Sequence, residues 1–234
     1  MTSVEYCSRK MKRAVLIADD HPLFRDALKL AVAQAVPGAH IIEADSVHSL
    51  FAALESNPDP ELLLLDLNMP GAHGFNALVQ ARAHFPAVPI VVISAREDRH
   101  IVHRALGHGA AAFVPKSASI DLIVGALRAV LSGDTWLPPS AAQDSPVASL
   151  ALDEGEAEAT SRLAALTPQQ FRVLSMLSAG LLNKQIAAEL GVSEATVKAH
   201  VSAVMQKLGV SNRTQAVLLA QKLALDRAAP DSAG

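Results

Sequence analysis

"LLLLDLNMPGAHG", Leu62 to Gly74, places a carboxylate at the end of the most apolar run in the chain. Four consecutive leucines leave no polar face. A strand of that kind is buried on both sides, as happens in parallel sheets covered by helices on each face. Asp66 follows directly, and Met69-Pro70-Gly71 then stops the run. An acid at the carboxyl end of such a strand lies where open α/β sheets collect their ligands.

The same pattern extends in both directions. "AVLIA" (14–18), "HIIEA" (40–44), "ELLLLD" (61–66), "PIVVIS" (89–94) and "AAFV" (111–114) read as strands. Amphipathic stretches such as "PLFRDALKLAVAQA" (22–35) and "SIDLIVGALRAVLS" (119–132) lie between or after them. Regular alternation of this kind predicts an α/β fold with a parallel sheet between two helix layers. Five βα units fit a flavodoxin-like (βα)5 arrangement with sheet order 2-1-3-4-5. From Leu137 to Thr160 periodicity is lost and Pro, Ser, Ala and acids dominate, which reads as a linker with room for a short helix near 150–160. Beyond it everything is helical. "LTPQQ" offers Thr167 as N-cap, Pro168 in the first turn and Gln170 to close a capping box, with Gly180 as the stop. Helices over 183–190, 194–208 (N-cap Ser193) and 213–225 follow. The expected organisation is an α/β domain at 12–136, an acidic linker at 137–162, and a small all-α four-helix domain at 163–228.

Charge supports that division. Of 234 residues, 20 are Lys or Arg and 23 Asp or Glu, a net charge of −3. The average hides an asymmetry: residues 1–140 carry net −2, residues 141–161 net −5 with no basic residue, and residues 162–234 net +4. A basic tail behind an acidic spacer suits a polyanionic partner. No apolar run approaches the roughly 20 residues of a membrane helix, and the start lacks the apolar core of a signal peptide. A single cysteine, Cys7, allows no internal disulfide. These features predict a cytoplasmic protein with no membrane partner, for which Met11 serves as start as well as Met1.

The first and third strands are neighbours in the expected sheet. The first ends in Asp19-Asp20 and the third in Asp66, so three carboxylates converge at one edge. Such a cluster is costly unless a cation or a proton intervenes. Oxygen ligands that retain several waters suit Mg²⁺. The fourth strand delivers Ser94 and the fifth Lys116 to the same crevice. Singly, each has an ordinary explanation: an Asp or Ser after a strand caps a helix, and a lysine is solvated. Together, at the ends of four strands, they describe a site for a phosphoryl group.

"IADDHPLFRDAL", "LLLLDLNMPGAHG", "VVISA" and "GAAAFVPKS" resemble the receiver domain of two-component response regulators, over residues 13–132. The resemblance implies that Asp66 accepts a phosphoryl group from a histidine kinase. It also implies that Asp20, Asp66 and the Asn68 backbone carbonyl hold Mg²⁺, with Asp19 acting largely through water. Ser94 and Lys116 would contact the phosphoryl oxygens. Phe113 matches the switch aromatic, a position where a tyrosine is frequent, and ordinary core packing is its alternative. Pro70 and Gly71 would shape the adjoining loop.

In the tail, Ile186, Ala187 and Leu190 give one helix an inner face, Gly191 a turn, and Val197, Val201, Val204 and Leu208 the inner stripe of the next. Ala195, Lys198, Ala199, Ser202 and Gln206 then face outward, flanked by His200 and Lys207. That surface is small and polar enough to approach a major groove, although a plain helical bundle has the same pattern. "NKQIAAELGVSEATVKAHV" resembles the LuxR/NarL-type helix-turn-helix DNA-binding domain. This implies groove contacts by Lys198 and its neighbours, phosphate contacts by Lys184, Thr196 and Arg213, and a dimer contact on the last helix. Many relatives carry a basic residue where this chain has Ser202, which predicts weaker DNA binding and more reliance on dimerisation or on RNA polymerase.

The whole chain therefore reads as a phosphorylation-controlled regulator that is not an enzyme. Unphosphorylated, the receiver would sit against the C-terminal helices and hinder DNA binding. Phosphorylation would draw Ser94 and Phe113 inward and favour dimers on double-stranded DNA. An aspartate-based phosphatase needs a second acid where this chain has Asn68. A ligand-sensing LuxR protein needs an aromatic-rich pocket, against 3 % aromatic residues here.

Overall fold

The computed structural model describes residues 13–142 and 154–221. The first twelve residues, 143–153 and everything after 221 lie outside them. Cys7, the middle of the expected linker and the end of the expected last helix therefore fall outside the described residues.

Five strands, β1 (Ala14–Ala18), β2 (His40–Ala44), β3 (Leu62–Asp66), β4 (Ile90–Ser94) and β5 (Ala112–Pro115), form one parallel sheet in the order β2-β1-β3-β4-β5. The helices between and after them are α1 (Pro22–Ala35), α2 (Val47–Ser56), α3 (Asn76–His84), α4 (Arg99–Gly107) and α5 (Ile120–Leu131). Alternate side chains of a strand point to opposite faces, and the four leucines divide accordingly. Leu62 and Leu64 join Val15, Ile17, Val91 and Ile93 in a core layer with α1 and α5. Leu63 and Leu65 join Leu16, Val92 and Phe113 in a second layer with α2, α3 and α4.

The C-terminal half consists of α7 (Glu154–Ala164), α8 (Pro168–Ser178), α9 (Asn183–Leu190), α10 (Glu194–Leu208) and α11 (Arg213–Gln221); a single turn, α6 (Pro139–Ala142), precedes them. The expected capping box is present: Gln170 N donates to Thr167 Oγ1 at 3.3 Å and Thr167 N to Gln170 Oε1 at 3.0 Å. Gly191 closes α9 in the left-handed region, φ 65°, and Ser193 caps α10.

The inner stripe of α10 lies in the core as expected and divides between two clusters. Val197 is buried with Ile186, Ala187, Val173 and Leu177, and Val201 packs half-buried beside them. Val204 and Leu208 enter the larger layer together with Ala159, Leu163, Phe171 and the receiver's own side chains. The acidic segment, moreover, is more than a spacer. Its helix α7 lies on α3, so the two halves share one hydrophobic core. α3 is buried on both sides for this reason, Asn76 and Gln80 included. Asn76 Nδ2 donates to the Ala220 carbonyl at 3.1 Å. Gln80 Nε2 donates to Leu163 O and His84 Nε2 to Leu166 O. These three polar side chains, four residues apart along one helix, satisfy carbonyls of the other half. Phe51 of α2 meets Phe171 of α8 edge-on, with centroids 5.4 Å apart, and Arg172 donates to Glu55 at 2.5 Å.

Candidate functional site

At the carboxyl edge of the sheet, Asp19, Asp20, His21 and Asp66 each offer a ligand atom, all within 4.8 Å of one another. Parallel pairing in register sets this up, since Ala18 of β1 lies opposite Leu65 of β3 and the acids that follow emerge side by side. Asp19 and Asp66 are buried, and Asp20 is partly open. Asp66 is held by its own turn, where Asn68 N donates to Oδ1 at 3.0 Å. Asp19 Oδ1 accepts from His21 N at 2.8 Å.

Lys116 lies between two of the acids. Its Nζ is 2.7 Å from Asp19 Oδ2 and 2.8 Å from Asp66 Oδ2. Burial pushes the Asp66 carboxyl above its usual range, and the hydrogen bonds from Lys116 and Asn68 only partly pull it back. Burial also works to neutralise Lys116. The two carboxylates more than offset that, so its pKa stands above the ordinary lysine value. The cation balances two negative groups in a setting of low dielectric.

Ser94 is buried at the end of β4. Its Oγ accepts from Arg96 N at 3.1 Å, and its carbonyl accepts from Lys116 N at 2.8 Å. Phe113 is fully buried in the same core layer as α4. The crevice opens to solvent as a cleft of about 430 Å³ lined by His21, Leu23, Phe24, Asp66, Asn68, Ala95 and Lys116.

Three residues here had gone unread in the sequence. His21 Nδ1 is 2.8 Å from Asp20 Oδ1. Phe24 places its ring 5.0 Å from Lys116 Nζ. Arg25 donates to the Asp19 carbonyl at 2.6 Å and pairs with Glu43 at 3.0 Å. All follow "DD" within a few residues, at the N-cap and first turn of α1, and that proximity was the available signal.

The donor set fits a hard divalent cation. Three carboxylates, Asp19, Asp20 and Asp66, converge on this rim, and Lys116 pairs with only Asp19 and Asp66. An excess of carboxylate oxygens at one rim suits an ion of the Mg²⁺ type.

The tail presents a second surface. On α9 and α10, Lys184, Ala195, Thr196, Lys198, Ala199, Ser202, Gln206 and Lys207 are exposed, and His200 is half-buried. The receiver packs on α7, α8 and α11, and the outward face of α10 stays open. Two of the expected DNA contacts are engaged internally. Arg213 Nη2 donates to Leu181 O at 2.7 Å and Leu177 O at 3.2 Å, and Lys207 Nζ to Ala165 O at 2.9 Å.

Comparison with known proteins agrees with both halves. Residues 15–128 match the response regulator receiver domain family, and residues 164–220 match the bacterial regulatory proteins of the luxR family. A glycerol metabolism activator of Pseudomonas putida is 40 % identical over 207 residues, covering 88 % of this chain and 94 % of that one. The nitrate/nitrite response regulator NarL of Escherichia coli K12 is 30 % identical over 211 residues, covering 90 % and 96 %. Among solved structures, RcsB of Salmonella enterica serovar Typhimurium, bound to a promoter in the presence of a phosphomimetic, aligns with TM-score 0.51 and 25 % identity, over 91 % of this chain and 100 % of that one.

Proposed function

Since the chain belongs to the LuxR/NarL-type two-component response regulators, we propose that Asp66 is its phosphoacceptor and that the outward face of α10 reads double-stranded DNA. The observation that carries this reading is the buried Asp66 carboxylate beside Lys116, 2.8 Å away, on an acidic rim.

Asp66 Oδ2 attacks the phosphorus of a phosphohistidine on a sensor kinase, and the P–N bond breaks as the P–O bond forms. Asp20, Asp66 and the Asn68 carbonyl are the residues that would hold Mg²⁺, whose charge offsets that of the phosphoryl oxygens. Lys116 leaves Asp66 Oδ2 to pair with the phosphoryl group while keeping Asp19. Ser94 donates its hydroxyl proton to another phosphoryl oxygen. A dianion with these partners is of the size needed to invert a two-state equilibrium, about 5.5 kcal/mol for 1:99 to 99:1.

On the DNA side, Lys198, Ala199 and Ser202 face the major groove, with His200 at its edge. Lys184 and Thr196 lie near the phosphate backbone. Lys207 and Arg213 brace the domain through their carbonyl bonds and reach phosphate only if those bonds are exchanged. Leu218 of α11, 57 % exposed, suits a homodimer contact in the phosphorylated state. RNA polymerase is a fitting further partner for a promoter-bound regulator. Because the receiver leaves α10 open, hindrance before phosphorylation comes from holding the two halves in one orientation rather than from covering the reading face.

The test compares the wild type with Asp66→Asn, each with beryllofluoride and Mg²⁺. Wild type should dimerise and bind DNA more tightly with the mimic, and Asp66→Asn should not respond. An unchanged wild type would overturn the reading.

A further inference from the structure

Glu156 is an acid with no part in either surface. It lies on α7, 3 % exposed. Its Oε1 accepts from Arg104 Nε at 2.8 Å and from His108 Nε2 at 2.7 Å, and Arg104 Nη2 is 2.7 Å away. Both partners belong to the receiver. Arg104 sits in the last turn of α4 and His108 is its C-cap. Phe75 backs them both: the guanidinium carbon is 4.8 Å from its ring centroid and the imidazole centroid 4.9 Å. Thr160, one turn along α7, brings its hydroxyl within 3.4 Å of His108 Nδ1.

Charges so far from water are tolerated only while all partners stay in place. The contact is therefore close to all-or-none, and it depends on where α4 lies. α4 is also the helix that follows Ser94. Its Ile101, Val102 and Ala105 share the core layer with Phe113. A shift of Ser94 toward a phosphoryl oxygen pulls on the loop that begins α4. The opposite end of that helix grips the C-terminal half.

We infer that Glu156, Arg104 and His108 form the latch that keeps the DNA-binding half docked on the receiver. That phosphorylation opens it rests on the function proposed above. The latch commits an acid of the apparent linker to a structural task, so α7 acts as the bolt and not as a tether.

The test uses the full chain, wild type and Glu156→Gln, with and without beryllofluoride and Mg²⁺. Hydrogen exchange of the α7 amides and the radius of gyration from X-ray scattering report docking. Without the mimic, Glu156→Gln should exchange about tenfold faster along α7 and be more extended, with little further response to the mimic. Arg104→Lys, which keeps the charge but loses the fork, should open to a smaller degree and guards against a folding defect in the first variant. If both variants keep wild-type protection while the wild type opens with beryllofluoride, the latch is refuted and the phosphorylation reading stands. If they open while the wild type ignores beryllofluoride, the latch is supported and the phosphorylation reading is what fails.

Discussion

The acidic crevice and the seam between the halves are both built from buried charge, and they treat it differently. In the crevice, a single lysine, Lys116, spans Asp19 and Asp66 beside a third acid, Asp20, on a rim open to solvent. In the seam, Glu156 is enclosed by two donors on one helix and an aromatic ring beneath them. The first arrangement is incomplete and can accept another charged group. The second is closed and can only be kept or broken. A site that must receive a ligand and a contact that must hold are distinguished by whether their charges balance and by their access to solvent.

The largest effect is expected where the crevice is made worse. Lys116→Met leaves two buried carboxylates facing each other without their cation. In EDTA it should destabilise the receiver by about 3 kcal/mol, as removal of one partner from a buried pair does. Mg²⁺ should restore most of that and bind more tightly than to the wild type, since its competitor is gone. Thermal unfolding with and without the metal measures both. A melting temperature unchanged in EDTA would show that the lysine is not balancing the acids.

The seam should respond to acid. Its neighbours hold the Glu156 carboxyl down: burial opposes ionisation, but the bonds from His108 and Arg104 outweigh it and lower the pKa from 4.5 to about 2. A depressed carboxylate contributes stability that is present above its unfolded pKa and lost as pH falls through the folded value. Docking should therefore weaken between about pH 4.5 and 2, by about 3 kcal/mol in all. Glu156→Gln should remove that part of the acid dependence, read as the difference in scattering or fluorescence between the two proteins across the range.

Smaller is the loss of one bond across the seam. Gln80→Ala removes the donor to the Leu163 carbonyl and should loosen docking by about 1 kcal/mol. Phosphoryl transfer to Asp66 should be unaffected, because Gln80 touches nothing in the crevice. Faster exchange along α7 with an unchanged rate of labelling at Asp66 would separate the two regions.

The smallest effect concerns His73, in the loop between β3 and α3. Burial lowers its pKa from 6.5, against a hydrogen bond with the Ser175 backbone of the C-terminal half. A histidine that folding keeps neutral favours docking above pH 6.5 and opposes it as pH falls below. Exchange along α8 should rise slightly from pH 7 to 6, and His73→Gln should flatten the trend.

The crevice was legible in the sequence because its residues fall at strand ends, and strand ends are set by local pattern. Asp19, Asp20, Asp66, Ser94 and Lys116 each follow a short apolar run, and a parallel sheet then places them along one edge. α9 and α10 were equally legible, since caps and glycine stops are local signals. α3 was not. It lacks an apolar stripe because it is buried on both sides, so Asn76, Gln80 and His84 look like an ordinary solvated face until α7 and α11 cover them. Glu156 was hidden for the same reason, as one more acid in an acidic segment.

The order of residues alone determined the sheet, the convergence of three carboxylates with a lysine, and the helix-turn-helix, because periodicity and capping act over a few residues. Only the tertiary structure decided that the two halves share a core, that an acid of the supposed linker is clamped by α4, and that Arg213 and Lys207 are engaged by backbone carbonyls. Those outcomes depend on which surfaces meet across about a hundred residues of chain, and a buried polar group shows its purpose only once its partner is in place.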